Sequence, residues 1–199
     1  MAQGNNKAAS RDRFRAYRLS LTQPDYERFS NAICKRLESL RPWIPNEVVH
    51  VFWPMVERRE PDIRPFIHML YELPVHLVMP VVSSYSPDPI QGGRLRHARV
   101  NTLQNFRYNK WGIAEPESDS FVSEKELEVI IAPSLGADRN GFRMGYGMGY
   151  YDEFLSVVNI PTICPIFSGC LIDHIPHEKH DIAVSVIVTE DAVLEIDGT

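Results

Sequence analysis

Two apolar, strand-like runs separated by a segment of helical period constrain this chain most. Val48-Val-His-Val-Phe-Trp53 follows Pro42 and Pro45, and His76-Leu-Val-Met-Pro-Val-Val82 forms a second run. Between them Ile63, Phe66, Ile67 and Leu70 recur at spacings of three and four, which puts them on one helix face. Strand, helix and strand in that order is the βαβ unit of a mostly parallel sheet. Further strands are expected at Arg94 to Val100, Val129 to Pro133, Thr162 to Phe167 and Ile182 to Thr189, with a helix from about Tyr150 to Val158. The N-terminal part reads as two helices. One is basic, from Lys7 to about Leu19; the other is capped by Thr22 with Pro24 in its first turn, and buries Tyr26, Phe29, Ile33, Leu37 and Leu40. The expected fold is α/β, a three-layer sandwich with a mostly parallel central sheet. One domain spans 1–199, with tails at 1–6 and 195–199 outside the ordered fold, and Ser83 to Gly93 is a surface loop.

A chain of 199 residues with 44% hydrophobic content can bury a substantial core of its own. The net charge of -5 argues against general attraction to nucleic acid, so any anion site must be local. Cys34, Cys164 and Cys170 include no CxxC pair, which fits a reducing, cytoplasmic setting. No apolar run approaches the roughly 18 to 20 residues of a spanning helix, so no membrane partner is expected.

The chemistry concentrates after the Val129 strand. Asp138-Arg-Asn-Gly141 makes a turn, and Gly145, Gly147 and Gly149 then alternate up to a helix near Tyr150. Such glycines permit positive φ angles and close approach to a ligand, while free N–H groups and a helix start favour phosphate. Arg143 adds a guanidinium capable of bidentate phosphate contact. The pattern is neither a G-x-G-x-x-G fingerprint, which fails at Tyr150, nor a Walker loop, because Phe142-Arg143 follows Gly141. Asp152 in the first helical turn would repel phosphates unless a divalent cation lay between them, which makes it a magnesium-ligand candidate. His174, His177 and His180 suggest a metal cluster at first sight. Pro176 and Lys179 interrupt it, and ordinary loop histidines are the better reading.

Arg143-Met-Gly-Tyr-Gly-Met-Gly-Tyr-Tyr-Asp152 closely resembles the R-L-G-x-G-x-G-Y-Y-D signature of the 5-formyltetrahydrofolate cyclo-ligases. The resemblance extends through Lys7-x-x-x-Arg11, Glu60-Pro-Asp62, Gly112-Ile-Ala-Glu-Pro116, Pro133-Ser-Leu-Gly-Ala-Asp138 and His180-Asp181. It implies that Lys7 and Arg11 bind ATP phosphates, and that Arg143, Met144, Gly145, Tyr146, Gly147, Met148, Gly149, Tyr150 and Tyr151 form the nucleotide loop. It implies also that Asp152 and Asp181 hold magnesium, that Glu60 contacts the pterin, and that Trp53 packs on the folate ring with Tyr150 and Tyr151 nearby. Arg143 and Lys7 would then be the catalytic cations of an ATP-dependent ligase acting on 5-formyltetrahydrofolate as a cytoplasmic monomer. Arg13, Arg15 and Arg18 fall to a solvated helix face. Ala137, Met148, Cys170 and Ser185 depart from the family pattern. Two other readings follow from that: a paralogue acting on another amide-like substrate, or a noncatalytic folate- or RNA-binding relative.

Overall fold

The structure is a computed structural model, and it describes residues 2–83, 94–178 and 181–196. Two helices, α1 (Ala2–Ser20) and α2 (Gln23–Ser39), precede β1 (Val48–Val51), α3 (Arg64–Glu72) and β2 (His76–Val82). Four short strands follow: β3 (Leu95–Arg99), β4 (Phe106–Tyr108), β5 (Ala114–Pro116) and β6 (Phe121–Val122). After them come β7 (Val129–Ile131), β8 (Gly136–Asp138), β9 (Arg143–Met144), α4 (Tyr150–Ser156) and β10 (Thr162–Pro165). The chain ends with β11 (Leu171–Ile172), β12 (Val186–Val188) and β13 (Val193–Glu195).

Among the described residues, eight strands form the main sheet in the order β13-β12-β10-β7-β1-β2-β3-β6. The five central strands are parallel, and β13, β3 and β6 join antiparallel at the edges. All four residues of β1 are buried, as a central strand covered on both faces must be. Alternation then sorts them. Val49 and Val51 pack with Phe14, Ile33, Leu37, Phe66 and Leu70 from α1, α2 and α3, whereas Val48 joins Val78, Ile130, Phe154 and Leu155 under α4. The helices therefore lie on opposite faces of the sheet, as the three-layer expectation required.

Local signals explain where the helices start. The Thr22 side chain accepts the Asp25 N–H at 3.2 Å, and Pro24 occupies the first turn of α2, where its missing N–H costs nothing. On α2, Tyr26, Ile33 and Leu37 are buried, and Phe29 and Leu40 pack partly buried against the same core.

Several boundaries differ from expectation. The first helix begins at Ala2, and Glu195 closes β13, so regular elements reach into the segments 1–6 and 195–199 expected as tails. Met1 and 197–199 lie outside the described residues, as do His180 and all of the Ser83 to Gly93 loop beyond Ser83. The strand expected over Ile182 to Thr189 contracts to β12 because the Val184 N–H bonds to the Gly141 carbonyl at 2.9 Å instead of to the sheet.

All three cysteines are free and buried, and burial pushes each thiol up to about 11. We expect the native protein to leave a thiol-reactive disulfide reagent unconsumed at mildly alkaline pH, and all three thiols to react after denaturation. His50 supplies a second expectation. Neither ring nitrogen has a hydrogen-bond partner among the described residues, and burial, together with nearby His97, holds its pKa well below 6.5. The unfolded chain therefore binds a proton that the native chain excludes, so this residue's stabilisation is present above about pH 6.5 and lost as pH falls below it. Thermal melts at decreasing pH should show the loss, and a His50→Phe variant should show less of it.

Candidate active site

Between β1 and β7 the chain order reverses, since β2 lies beyond β1 on one side and β10 and β12 lie beyond β7 on the other. Open α/β sheets bind ligands at such a switch point, outside the carboxyl ends of the strands. A cavity of about 330 Å³ occupies that place, lined by Phe52 and Trp53 after β1 and by Pro133 after β7. Every site residue expected above borders it: Lys7, Arg11, Trp53, Glu60, Arg143 with the loop through Tyr151, Asp152 and Asp181.

The glycine loop leaves β9 and enters α4. Gly147 and Gly149 have φ of 95° and 72°, the left-handed region that only glycine enters without cost. A Cβ on Gly147 would lie 3.4 Å from the Arg11 guanidinium carbon, and Arg11 Nε donates to the Gly145 carbonyl at 3.2 Å. The loop is thus shaped around a cation from the other end of the chain. The helix it enters has only seven residues, so a macrodipole adds little here and the phosphate affinity expected of this loop must come from side-chain cations.

Those cations are paired in the structure. Lys7 Nζ lies 3.0 Å from Asp181 Oδ2 and 3.7 Å from Glu178, and Arg143 Nη2 lies 2.9 Å from Asp152 Oδ1. The Arg143 side chain is only 2% exposed. Its Nε, a donor, has no partner among the described residues, and neither has the buried Tyr151 hydroxyl. Buried donors are rarely left unpaired, so both are available to a bound anion. Asp152 and Asp181 border the same cavity and give hard oxygen ligands of the kind Mg²⁺ takes.

The other half of the cavity is flatter and more apolar. Trp53 packs against Phe106 with ring centroids 4.4 Å apart, and Trp111, carried between β4 and β5, meets Tyr150 edge-on at 6.3 Å. Glu60 is buried: one carboxylate oxygen accepts the Met55 N–H at 2.7 Å and the other the Tyr146 hydroxyl at 2.8 Å. Burial raises its pKa, and Arg18 is the largest influence opposing the rise.

Sequence reasoning missed Arg15, Arg18, Arg58 and Trp111. Arg18 is wholly buried and so does not belong to a solvated face; Arg13 and Arg15 do, although Arg15, its side chain 45% exposed, also borders the cavity. The signal was present: Lys7, Arg11, Arg15 and Arg18 recur at spacings of four, four and three, one stripe of a helix. Of the four departures from the family pattern only Met148 borders the cavity. Asp138, His174 and His177 could approach one ion, but Asp138 already accepts the N–H groups of Asn140, Phe142 and Ile175. Its role is to staple the loop. No helix among the described residues is long and apolar enough to cross a membrane.

The fold is a doubly wound α/β sheet with a cavity at its switch point that holds both cations and carboxylates, and comparison with known proteins says to which family it belongs. The model of the 5-formyltetrahydrofolate cyclo-ligase family matches residues 3–190, so the chain belongs to that family of ATP-dependent ligases. It is 29% identical over 164 residues to the 5-formyltetrahydrofolate cyclo-ligase of Mycolicibacterium smegmatis, covering 76% of this chain and 80% of that one. The Escherichia coli cyclo-ligase is 26% identical over 186 residues, 91% and 98% of the two chains. The fold is similar to the solved Aquifex aeolicus 5,10-methenyltetrahydrofolate synthetase, with a TM-score of 0.80 at 24% identity over 97% of this chain and 94% of that one.

Proposed function

We propose that this enzyme converts 5-formyltetrahydrofolate and ATP into 5,10-methenyltetrahydrofolate, ADP and phosphate. The observation that carries the reading is the joining of two unlike half-sites in one cavity. The cations Lys7, Arg11 and Arg143 line it together with Trp53 and the buried Glu60. A polyphosphate calls for the first set of groups, and a flat ring with N–H donors for the second.

In the proposed reaction the formyl oxygen attacks the γ-phosphorus, and the bond from that phosphorus to ADP breaks. The nitrogen at position 10 then attacks the activated carbon and loses its proton. Phosphate leaves with the former formyl oxygen. Little covalent work falls to the protein, whose task is in-line positioning and stabilisation of the transferred charge. Arg143 with its unpaired Nε, Lys7 and Arg11 would take the phosphate oxygens, and Tyr150 and Tyr151 would stand at the boundary with the folate. Asp152 and Asp181 would hold Mg²⁺, which supplies positive charge against the phosphates. Glu60, as an ionised acceptor, would fix the pterin ring by its N–H groups, and Trp53 would cover the ring face.

Three of the four departures, Ala137, Cys170 and Ser185, do not border the cavity, which favours the folate over another amide-like substrate. The deciding experiment mixes the purified protein with 5-formyltetrahydrofolate and MgATP and follows the near-ultraviolet absorbance of the methenyl product together with ADP. One ADP per methenyl group formed is expected. Folded protein that yields no product would overturn the reading, and ADP release only with a different amide would replace it with the paralogue.

A further inference from the structure

Arg18 is the largest side chain buried without exposure in the molecule's described part, and the proposed chemistry does not use it. A guanidinium taken out of water needs strong compensation, normally a carboxylate in contact. No salt bridge to Arg18 exists among the described residues. Its Nη2 donates to the Ser134 carbonyl, its Nη1 to the Tyr146 hydroxyl at 3.4 Å, and its Nε has no partner. The Tyr146 hydroxyl in turn donates to Glu60 Oε1 at 2.8 Å, while the Met55 N–H fills Oε2 at 2.7 Å. A guanidinium can only donate, so the direction of this chain is fixed: Arg18 gives to Tyr146, and Tyr146 gives to Glu60.

We infer that Arg18 is a positioning residue for the folate half of the site, acting through the Tyr146 hydroxyl to keep the Glu60 carboxylate oriented and ionised for the pterin. The inference rests on the proposed role of Glu60. It accounts for an unpaired buried cation and an unpaired buried anion held one hydroxyl apart. Tyr146 sits between Gly145 and Gly147, so its hydroxyl reaches Glu60 from the glycine loop.

Besides the buried Tyr151, which shares a charge interaction with Glu60, the groups facing Glu60 are few. Arg18 comes from α1, Tyr146 from the loop, and Tyr26 from α2 donates to the Glu60 backbone carbonyl at 2.7 Å. Arg58 is the other nearby cation, its guanidinium carbon 5.4 Å from the Tyr146 ring centroid, but it is exposed and screened by solvent. Burial works against an ionised Glu60, and Arg18 is the main group working for it. A carboxyl so raised binds as an acceptor only above its folded pKa. Folate affinity should therefore fall as pH drops through that value, and without Arg18 the fall should move to higher pH.

The test measures 5-formyltetrahydrofolate binding without nucleotide, by quenching of intrinsic fluorescence across a pH series. It compares the wild type with Arg18→Met, Arg18→Lys, Glu60→Gln and the Arg18→Met, Glu60→Gln double variant. Arg18→Met should weaken folate binding at neutral pH by about tenfold, as loss of a hydrogen-bonded charged support does, and shift the pH profile upward. Its affinity for MgATP should stay within about twofold, and Arg18→Lys should recover part of the loss. In the Glu60→Gln background Arg18→Met should add nothing, because the group it serves is gone. Additive losses in the double variant, or equal losses of folate and nucleotide, would overturn the inference. Weak binding by Glu60→Gln beside normal binding by Arg18→Met would also reject it, whereas normal binding by Glu60→Gln would reject the role of Glu60 itself. If Arg18→Met does not fold, Tyr146→Phe removes the intervening oxygen alone. It should then give the same upward shift, and an unchanged profile would count against the relay.

Discussion

Replacing Arg143 by alanine is expected to lower kcat on the order of a thousandfold while leaving the protein folded. The guanidinium is buried, Arg143 lies on β9 and borders the cavity, and its Nε has no partner among the described residues. Loss of one preorganised donor at a developing charge costs about 10²–10³ in rate, and a phosphoryl-directed arginine costs up to about 10⁵. The variant also strips Asp152 of the partner it holds at 2.9 Å, leaving an unscreened carboxylate at the proposed phosphate site. Single-turnover measurement of methenyl formation, with circular dichroism as the fold control, checks the result. Arg143→Lys should fall between the two, since it keeps the charge but loses the fork. Near-normal rates in the alanine variant would show that the phosphates lie elsewhere.

The largest expected loss of stability comes from Gly136→Ala. A Cβ there would stand 2.6 Å from the Cys170 carbonyl oxygen and 2.6 Å from a Phe14 ring carbon. A backbone carbonyl cannot turn aside as a side-chain end can. The strand, the turn that carries Cys170, or α1 has to shift, and overpacking of this kind costs about 1–3 kcal/mol or more. For a chain of this size about 3 kcal/mol lowers Tm by roughly 6–12 °C. Gly112→Ala is the control: its φ is also positive, at 76°, but nothing lies within 4 Å of the added carbon. It should cost only the backbone term of about 1–2 kcal/mol. Equal Tm changes in the two variants would refute the packing argument.

Much of this was legible before any coordinates. The βαβ unit was, because Val48, Val49 and Val51 alternate between two buried faces and Phe66, Ile67 and Leu70 keep the helical period. The glycine loop was too, since Gly147 and Gly149 mark positions that other residues enter only under strain. What escaped were strands of two or three residues, such as β9 and β11. Segments that short have no period to read, and they exist because β8 pairs with them on both sides. Arg18 escaped for a different reason. Charged residues are almost never fully buried unless paired, and its compensation comes from Tyr146 and Ser134, 128 and 116 positions further along the chain. No local pattern carries that information.

The contact between Lys7 and Asp181 spans 174 positions, nearly the length of the chain. A chain emerging from the ribosome can complete β1, α3 and β2 early, but it holds Lys7 without Asp181 until β7 and β10 of the parallel core have been made. Contacts of such long range are the slow ones in folding. Binding at the proposed nucleotide site should therefore appear only after Asp181 has been made. A product cut short before Asp181 would keep the first βαβ unit and the glycine loop in its sequence but lack the residue that closes the site around them.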